Sequence, residues 1–330
     1  MKRHVLALGF ACSVTVILVG MAKPAAVAEP LKIAYASPWI GWGPLYIARA
    51  NGYFKNEGLD VEIVFMESNT PQEGFDLLTT KLVDGRLVTL DEAALYWKPE
   101  MPYAAVLATD ISSGGDGVLV RNDRNIASIE DLNGKTVALW LNTPSHFLLS
   151  YLLQQGGVPE EDVTVVDMSA EDAAAAVVAG NVDAAVTWNP YLAKAAEHPN
   201  VETLVTSKDT PGLIADVLVM REDTLTSNVE ACQGLVRAWN KAVEYQRSNP
   251  DEGATIMAKG LDYGTAEDVK ADLAGVALQG REESAQFFGG TGPGTALATA
   301  SFAIELWTER GRLTTPVKAE DLIDDSCLEK

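Results

Sequence analysis

The sequence predicts an α/β protein of two lobes, each a mostly parallel sheet flanked by helices, with a two-strand hinge between them. Three observations carry this reading. Short β-branched runs alternate with helical stretches from residue 29 onward. The alternation begins afresh at "KTVALWL", residues 135–141. Finally, "DGVLVRND" (116–123) and "ADVLVMRED" (215–223) bracket the second unit, each setting an apolar V-L-V between an Asp and an Arg. Taken as paired crossing strands, they make one lobe (118–216) an insertion into the other (29–117 and 217–330). Such lobes could close on something between them.

The elements follow in order. "LKIAYAS" reads as the first strand and "PLYIARANGYF" as a helix stopped at Gly52. "DVEIVFM" is the second strand, and "PQEGFDLLTTKLV" a helix with Phe75, Leu78 and Leu82 on one face. "GRLVTL" and "YAAVLAT" are further strands around the helical "DEAALYW". In the second unit "KTVALWL", "DVTVVDM" and "VDAAVTW" are strands, and "PSHFLLSYLLQQ" and "PYLAKAAEH" are helices. Ser169 caps a helix that ends at Gly180, with Asp172 at the capping-box position. The tail is mostly helical, with Ser227 and Glu230 expected as the capping box of "ACQGLVRAWNKAVEYQ".

Residues 1–28 have the layout of a secretory signal peptide: Lys2 and Arg3, an apolar run to Met21, and Ala26-Val27-Ala28 as the cleavage site. An uncleaved anchor is the competing layout, disfavoured by Cys12, Ser13 and Thr15 within the run. Export to the periplasm follows. Cleavage removes three basic residues and no acid, taking the formal charge from −21 to −24. So acidic a chain repels phosphate backbones, which argues against nucleic acid as a partner. Cys232 and Cys327 remain, and sequence alone leaves their pairing open. Few cysteines and histidines argue against a metal site, and no cofactor motif is found. "FFGGTGPG" lacks the order and the Lys of a phosphate loop.

Four predicted strands end in loops that lead into Pro: "GWGP", "ESNTP", "NTP" and "TWNP". Pro is suited to the first helical position, and ligands of open parallel sheets lie beyond the carboxyl ends of the strands. These loops therefore aim Trp39, Trp42, Asn69, Asn142, Thr143, His146, Thr187, Trp188, Asn189 and Tyr191 at one crevice. Here the chain resembles a known group. "YASPWIGWGPLYIARANGYFKNEGLDVEIV", "ASIEDLNGKTVAL" and "AAVVAGNVDAAVTWNPYL", in this order, are similar to periplasmic solute-binding proteins of ABC importers, of the nitrate/sulfonate/taurine type. The resemblance implies the type II periplasmic-binding fold, capture of a small solute by a monomeric receptor, and delivery to membrane permease subunits. "LVDGRLVTLDEA" departs from the group's usual Gly-x-Val-Asp pattern. "DISSGGDG" resembles members associated with urea- and guanidine-degrading operons.

The cleft loops (37–43, 67–70, 110–117, 141–146, 187–191) contain no Lys or Arg, and His146 is their one candidate base. They and their neighbours carry Glu67, Asp91, Glu92, Asp110, Asp116 and Asp216. A buried carboxylate is costly unless paired, and indole faces attract ammonium or guanidinium. The expected ligand site is thus Trp39, Trp42, Asn69, Asp91, Asp110, Asp116, Asn142, His146, Trp188, Tyr191 and Asp216, for a cationic or amide-like nitrogenous solute such as guanidine or an amine. An anion such as a sulfonate, taurine or nitrate is the alternative, because helix N-termini also point at the cleft. Asp110 and Asp116 read equally as turn or hinge residues. Relatives concerned with a thiamine pyrimidine precursor include enzymes, but their cysteine-rich motif is absent and no nucleophile–base pair is found, so no catalytic residue is assigned.

Overall fold

The structure, a computed structural model, describes residues 29–37, 39–66 and 70–329. The signal-peptide reading (1–28), Glu67 and Asn69 lie outside the described residues. The strands are β1 (Leu31–Tyr35), β2 (Val61–Phe65), β3 (Gly85–Thr89), β4 (Tyr103–Ser112), β5 (Asp116–Arg121), β6 (Thr136–Leu139), β7 (Thr164–Asp167), β8 (Ala184–Trp188), β9 (Val201–Thr206), β10 (Ala215–Arg221) and β11 (Val276–Leu278). They form two sheets flanked by helices, ordered β11-β4-β10-β3-β1-β2 and β7-β6-β8-β5-β9. Each sheet has three neighbouring parallel strands at one edge, β2-β1-β3 in one and β7-β6-β8 in the other.

The two V-L-V segments do not pair with each other, contrary to the expectation of a shared hinge ladder. β10 lies antiparallel between β3 and β4, and β5 lies antiparallel between β8 and β9. They hold equivalent places in the two sheets, and both are buried along their whole length. That burial is why each reads as a continuous apolar run rather than an alternating one. The equivalence reaches their ends. Asp116 and Asp216 stand opposite Trp188 and Thr89, the last residues of β8 and β3. At the far ends Arg121 donates to Asp123 through Nε (2.9 Å) and Nη2 (2.7 Å), and Arg221 donates to Asp223 through Nε (2.8 Å). The repeated D-x4-R-x-D thus aims one carboxylate at the inter-sheet space and ties the opposite end down. The chain passes between the sheets twice, at 113–115 and 207–214.

Local signals explain most helix ends. Pro44, Pro71 and Pro144 each begin a helix. The Ser169 hydroxyl accepts from the Asp172 N–H at 3.1 Å, and Gly180 closes that helix in the left-handed region at φ 77°. The long helix Val229–Ser248 is capped by Asn228, whose side chain accepts from the Ala231 N–H at 3.1 Å, and not by Ser227. The Ser227 hydroxyl instead donates to the Thr224 carbonyl of the preceding helix. Cys232 on the long helix is bonded to Cys327 in the C-terminal turn, Cα to Cα 5.5 Å, with both sulfurs buried. Trp239 and Trp307 are core residues. "FFGGTGPG" reaches the second crossing, where Gly294 packs on Gly212 so tightly that a Cβ on Gly212 would lie 2.5 Å from the Gly294 Cα.

Candidate functional site

At the carboxyl ends of β1, β3, β6 and β8 the two sheets enclose a cavity of about 60 Å³. The six-stranded sheet and its loops line it with Trp39, Trp42, Arg86, Thr89, Glu92 and Asp216, the five-stranded sheet and its loops with Asp116, Trp140, Thr143 and Trp188. The volume is room for roughly four waters, or a solute of a few heavy atoms.

The segment from Trp39 to Pro44 builds the first wall. Trp39 precedes and Trp42 ends a single 3-10 turn, Ile40–Trp42, and all three of the turn residues are buried. Trp39 Nε1–H donates to Asp110 Oδ1 at 3.0 Å. Gly41 makes this possible, because a Cβ there would lie 2.1 Å from Asp110 Oδ2. Gly43 likewise leaves room for Met257, and Gly115 at the first crossing leaves room for the tip of the Trp39 ring. The Trp42 ring packs on Tyr35 at 5.5 Å, and its buried Nε1–H finds no acceptor among the described residues. The opposite wall is a stack of Trp140 on Trp188, centroids 6.3 Å apart and 23° from parallel.

Carboxylates occupy the floor. Asp110 and Asp216 are register partners on β4 and β10, both buried. Burial pushes both upward, and Asp216 furthest, because Asp110 and Asp116 add like charge beside it. Asp110, which accepts from Trp39 and from the Thr109 hydroxyl (3.2 Å), is the better-supported anion of the pair. Asp116 accepts from the Ser112 hydroxyl at 2.6 Å, and burial raises it to about 7 despite that bond. Ser207, from the second crossing, is within 2.7 Å of Ser112 Oγ and accepts from the Gly114 N–H at 2.8 Å. The Asp116 carboxylate is therefore wired to both crossings.

Arg86 is the residue sequence reasoning missed. It is buried in β3 and lines the cavity, its guanidinium carbon 4.3 Å from the centre of the Phe75 ring and tucked under Gly74. Burial lowers its pKa, and Glu92 beside it opposes that shift. A usable signal was present: a lone Arg inside "GRLVTL", a strand read as central, has to be neutralised by something. The absence of cations from the cleft loops therefore does not extend to the cleft. Glu92 also lines the cavity, accepts from the Thr89 hydroxyl at 3.2 Å, and is raised by burial.

Of the expected site residues, Trp39, Trp42, Asp116, Trp188 and Asp216 line the cavity, and Asp110 lies directly behind Trp39. Four others are placed apart from it. Asp91 is buried at the start of the helix Leu90–Leu95, its carboxyl raised mainly by burial. Asn142, at φ 62°, borders a separate surface pocket with Trp97 and Arg312. Tyr191 is half-buried at the start of the helix Tyr191–Ala196. His146 accepts at Nδ1 from the Asn142 N–H (3.2 Å) and presents Nε2 to Glu160 at 3.0 Å, so both ring nitrogens are engaged within the protein. Trp140, just past the end of β6, is a wall of the cavity. Among the described residues no group of three or more His, Cys, Asp or Glu could hold a metal ion, and no helix is long and apolar enough to cross a membrane.

Known proteins share this architecture. The periplasmic aliphatic sulphonate binding protein SsuA from Escherichia coli superposes with a TM-score of 0.71 over 91% of this chain and 99% of its own, at 20% identity, a likeness of fold. A Brucella abortus protein whose name says only that it is a binding protein is 25% identical over 297 residues, 88% of this chain and 89% of its own length. A Bacillus subtilis protein named for aliphatic sulfonates is 27% identical over 235 residues, 68% of this chain and 69% of its own length. The model of the family described as "NMT1/THI5 like" matches residues 39–253. With more than half of its length matched and two sheets arranged as in the periplasmic binding proteins, the chain belongs to the NMT1/THI5-like family.

Proposed function

We propose that the protein is the extracytoplasmic receptor of an ABC importer, exported by cleavage after Ala28, and that its lobes close on a small cationic or amide-like nitrogenous solute for delivery to permease subunits. One observation carries the choice of solute. Asp116 and Asp216, one from each lobe, face a tryptophan-walled cavity in which Arg86 is the one cation against three carboxylates among the described lining residues. Closing the lobes brings these acids together out of water, which is unfavourable without a counter-charge. A guanidinium or ammonium supplies it, and each indole face adds about 0.5–2 kcal/mol. The cavity volume fits a solute of that size. We read the role as binding without turnover, in keeping with relatives and structural neighbours that are named for binding.

A small anion is the second reading, favoured by Arg86 in the lining, by the Trp42 Nε1–H donor, which has no acceptor among the described residues, and by the sulfonate names of relatives. Titration calorimetry with guanidinium chloride, methylammonium, taurine, ethanesulfonate and nitrate separates the two. Saturable binding of guanidinium or methylammonium, abolished in Asp216→Asn, supports the proposal. Saturable binding of a sulfonate or nitrate alone transfers the receptor to the second reading.

A further inference from the structure

Away from the cavity, the two lobes meet at a second place. The helix Pro144–Gln155, whose first residue lines the cavity, packs against the helix Ala296–Glu309 of the other lobe. Four aromatic pairs form the seam: His146 on Trp307 (5.2 Å between centroids), Phe147 on Phe302 (5.5 Å) and on Trp307 (6.1 Å), and Tyr151 edge-on to Phe302 (5.3 Å). Beside the seam, Arg310 donates to Glu160 Oε2 through Nε at 2.8 Å and Nη2 at 2.6 Å. Glu160 sits in a short turn just before β7 and also takes bonds from the Ser150 hydroxyl (2.7 Å) and His146. Among the described residues, every side-chain donor to the Glu160 carboxylate except Arg310 belongs to its own lobe.

We infer that Arg310 and Glu160 are an inter-lobe latch, a pair of positioning residues that set the closed-to-open ratio, and hence solute affinity, without touching the solute. The inference rests on the reading of the protein as two lobes that close. The pair is built for this. Both side chains are about three-quarters shielded from solvent, so the bond is less screened than a surface ion pair. Burial would raise Glu160, but bonds from His146, Arg310 and Ser150 outweigh it and hold the carboxyl at about 2, charged throughout the working range. Arg310 is rigidly presented, since its N–H is held by Leu306 and the chain turns back at once through Arg312 and Leu313 N–H bonds to the Trp307 carbonyl. Opening the cleft must break the Arg310–Glu160 bonds, while the His146, Ser150 and Asn142 contacts travel intact with their lobe.

The test needs no solute, so its outcome is independent of the ligand's identity. Small-angle X-ray scattering of the solute-free protein reads the lobe separation directly. Arg310→Ala is expected to lower the closed-to-open ratio about tenfold, the equivalent of about 1.4 kcal/mol, and to widen the particle. Arg310→Lys, keeping the charge and one donor, should fall between it and wild type. Glu160→Gln retains acceptors for His146 and Ser150, and serves as the second variant should Arg310→Ala fail to fold. Folded variants at both positions with the wild-type scattering profile would overturn the latch. A protein that binds none of the cations or anions above yet shows the graded widening would sink the solute reading and leave the latch standing.

Discussion

Asp116→Asn tests the electrostatics of the cavity most sharply. Asp116 is raised to about 7 by burial, against an unfolded value near 3.9. The native state therefore holds more protons than the unfolded state between roughly pH 4 and 7, and stability falls as pH rises through that window. The stabilisation of the protonated form is fully present below the unfolded value and is lost as pH climbs through the folded one. For a three-unit gap, linkage gives a loss of about 2–3 kcal/mol between pH 5 and pH 8 from this one carboxyl. Asparagine keeps the shape and an acceptor for the Ser112 hydroxyl but carries no titration. Urea unfolding of wild type and variant at pH 5, 6, 7 and 8 should thus show two curves that diverge with pH, the variant gaining on the wild type by that amount. Parallel curves would refute the reasoning, since they would mean Asp116 ionises in the cavity at no cost.

Gly41→Ala should be among the most damaging small changes in the first wall. Its Cβ would meet the Asp110 carboxylate at 2.1 Å, so we expect a loss of about 1–3 kcal/mol in urea and a changed tryptophan emission as the Trp39–Asp110 bond is broken. Replacing both Cys232 and Cys327 by Ser opens a loop with a sequence separation of 95 and should cost about 2–5 kcal/mol, read as a lower urea midpoint that matches reduced wild type. Trp188→Ala removes one ring of the Trp140–Trp188 wall and should weaken guanidinium binding about tenfold or more in calorimetry while leaving the scattering of the solute-free protein unchanged.

The local grammar of the fold was legible residue by residue. Ser169 and Gly180 bound one helix by their own chemistry, and Pro44, Pro71 and Pro144 open others, because caps and turns depend on a few neighbouring residues. Long-range pairing was not legible. The V-L-V segments announce two buried strands, but nothing within them says that one lies beside β3 and the other beside β8, since partner choice is made by the rest of each sheet. The same gap hid Arg86: strand alternation says which face a residue takes, but not that the face opens on a cavity shared with the other lobe. His146 shows the converse. Its place in a Pro-led first turn pointed at the cleft, yet one helical turn is enough to swing a side chain to Glu160 on the far side of the helix. Ser227 was passed over for Asn228, one residue on, the scale at which helix ends are hardest to place.

The most direct test of the central claim is a proton count. Guanidinium binding at pH 7 is measured calorimetrically in two buffers of different ionisation enthalpy. A cation seated between Asp116 and Asp216 lowers carboxyls that burial has raised, so the account predicts net release of about half a proton or more per solute bound. Guanidinium that fails to bind, or that binds with no proton release, would contradict it.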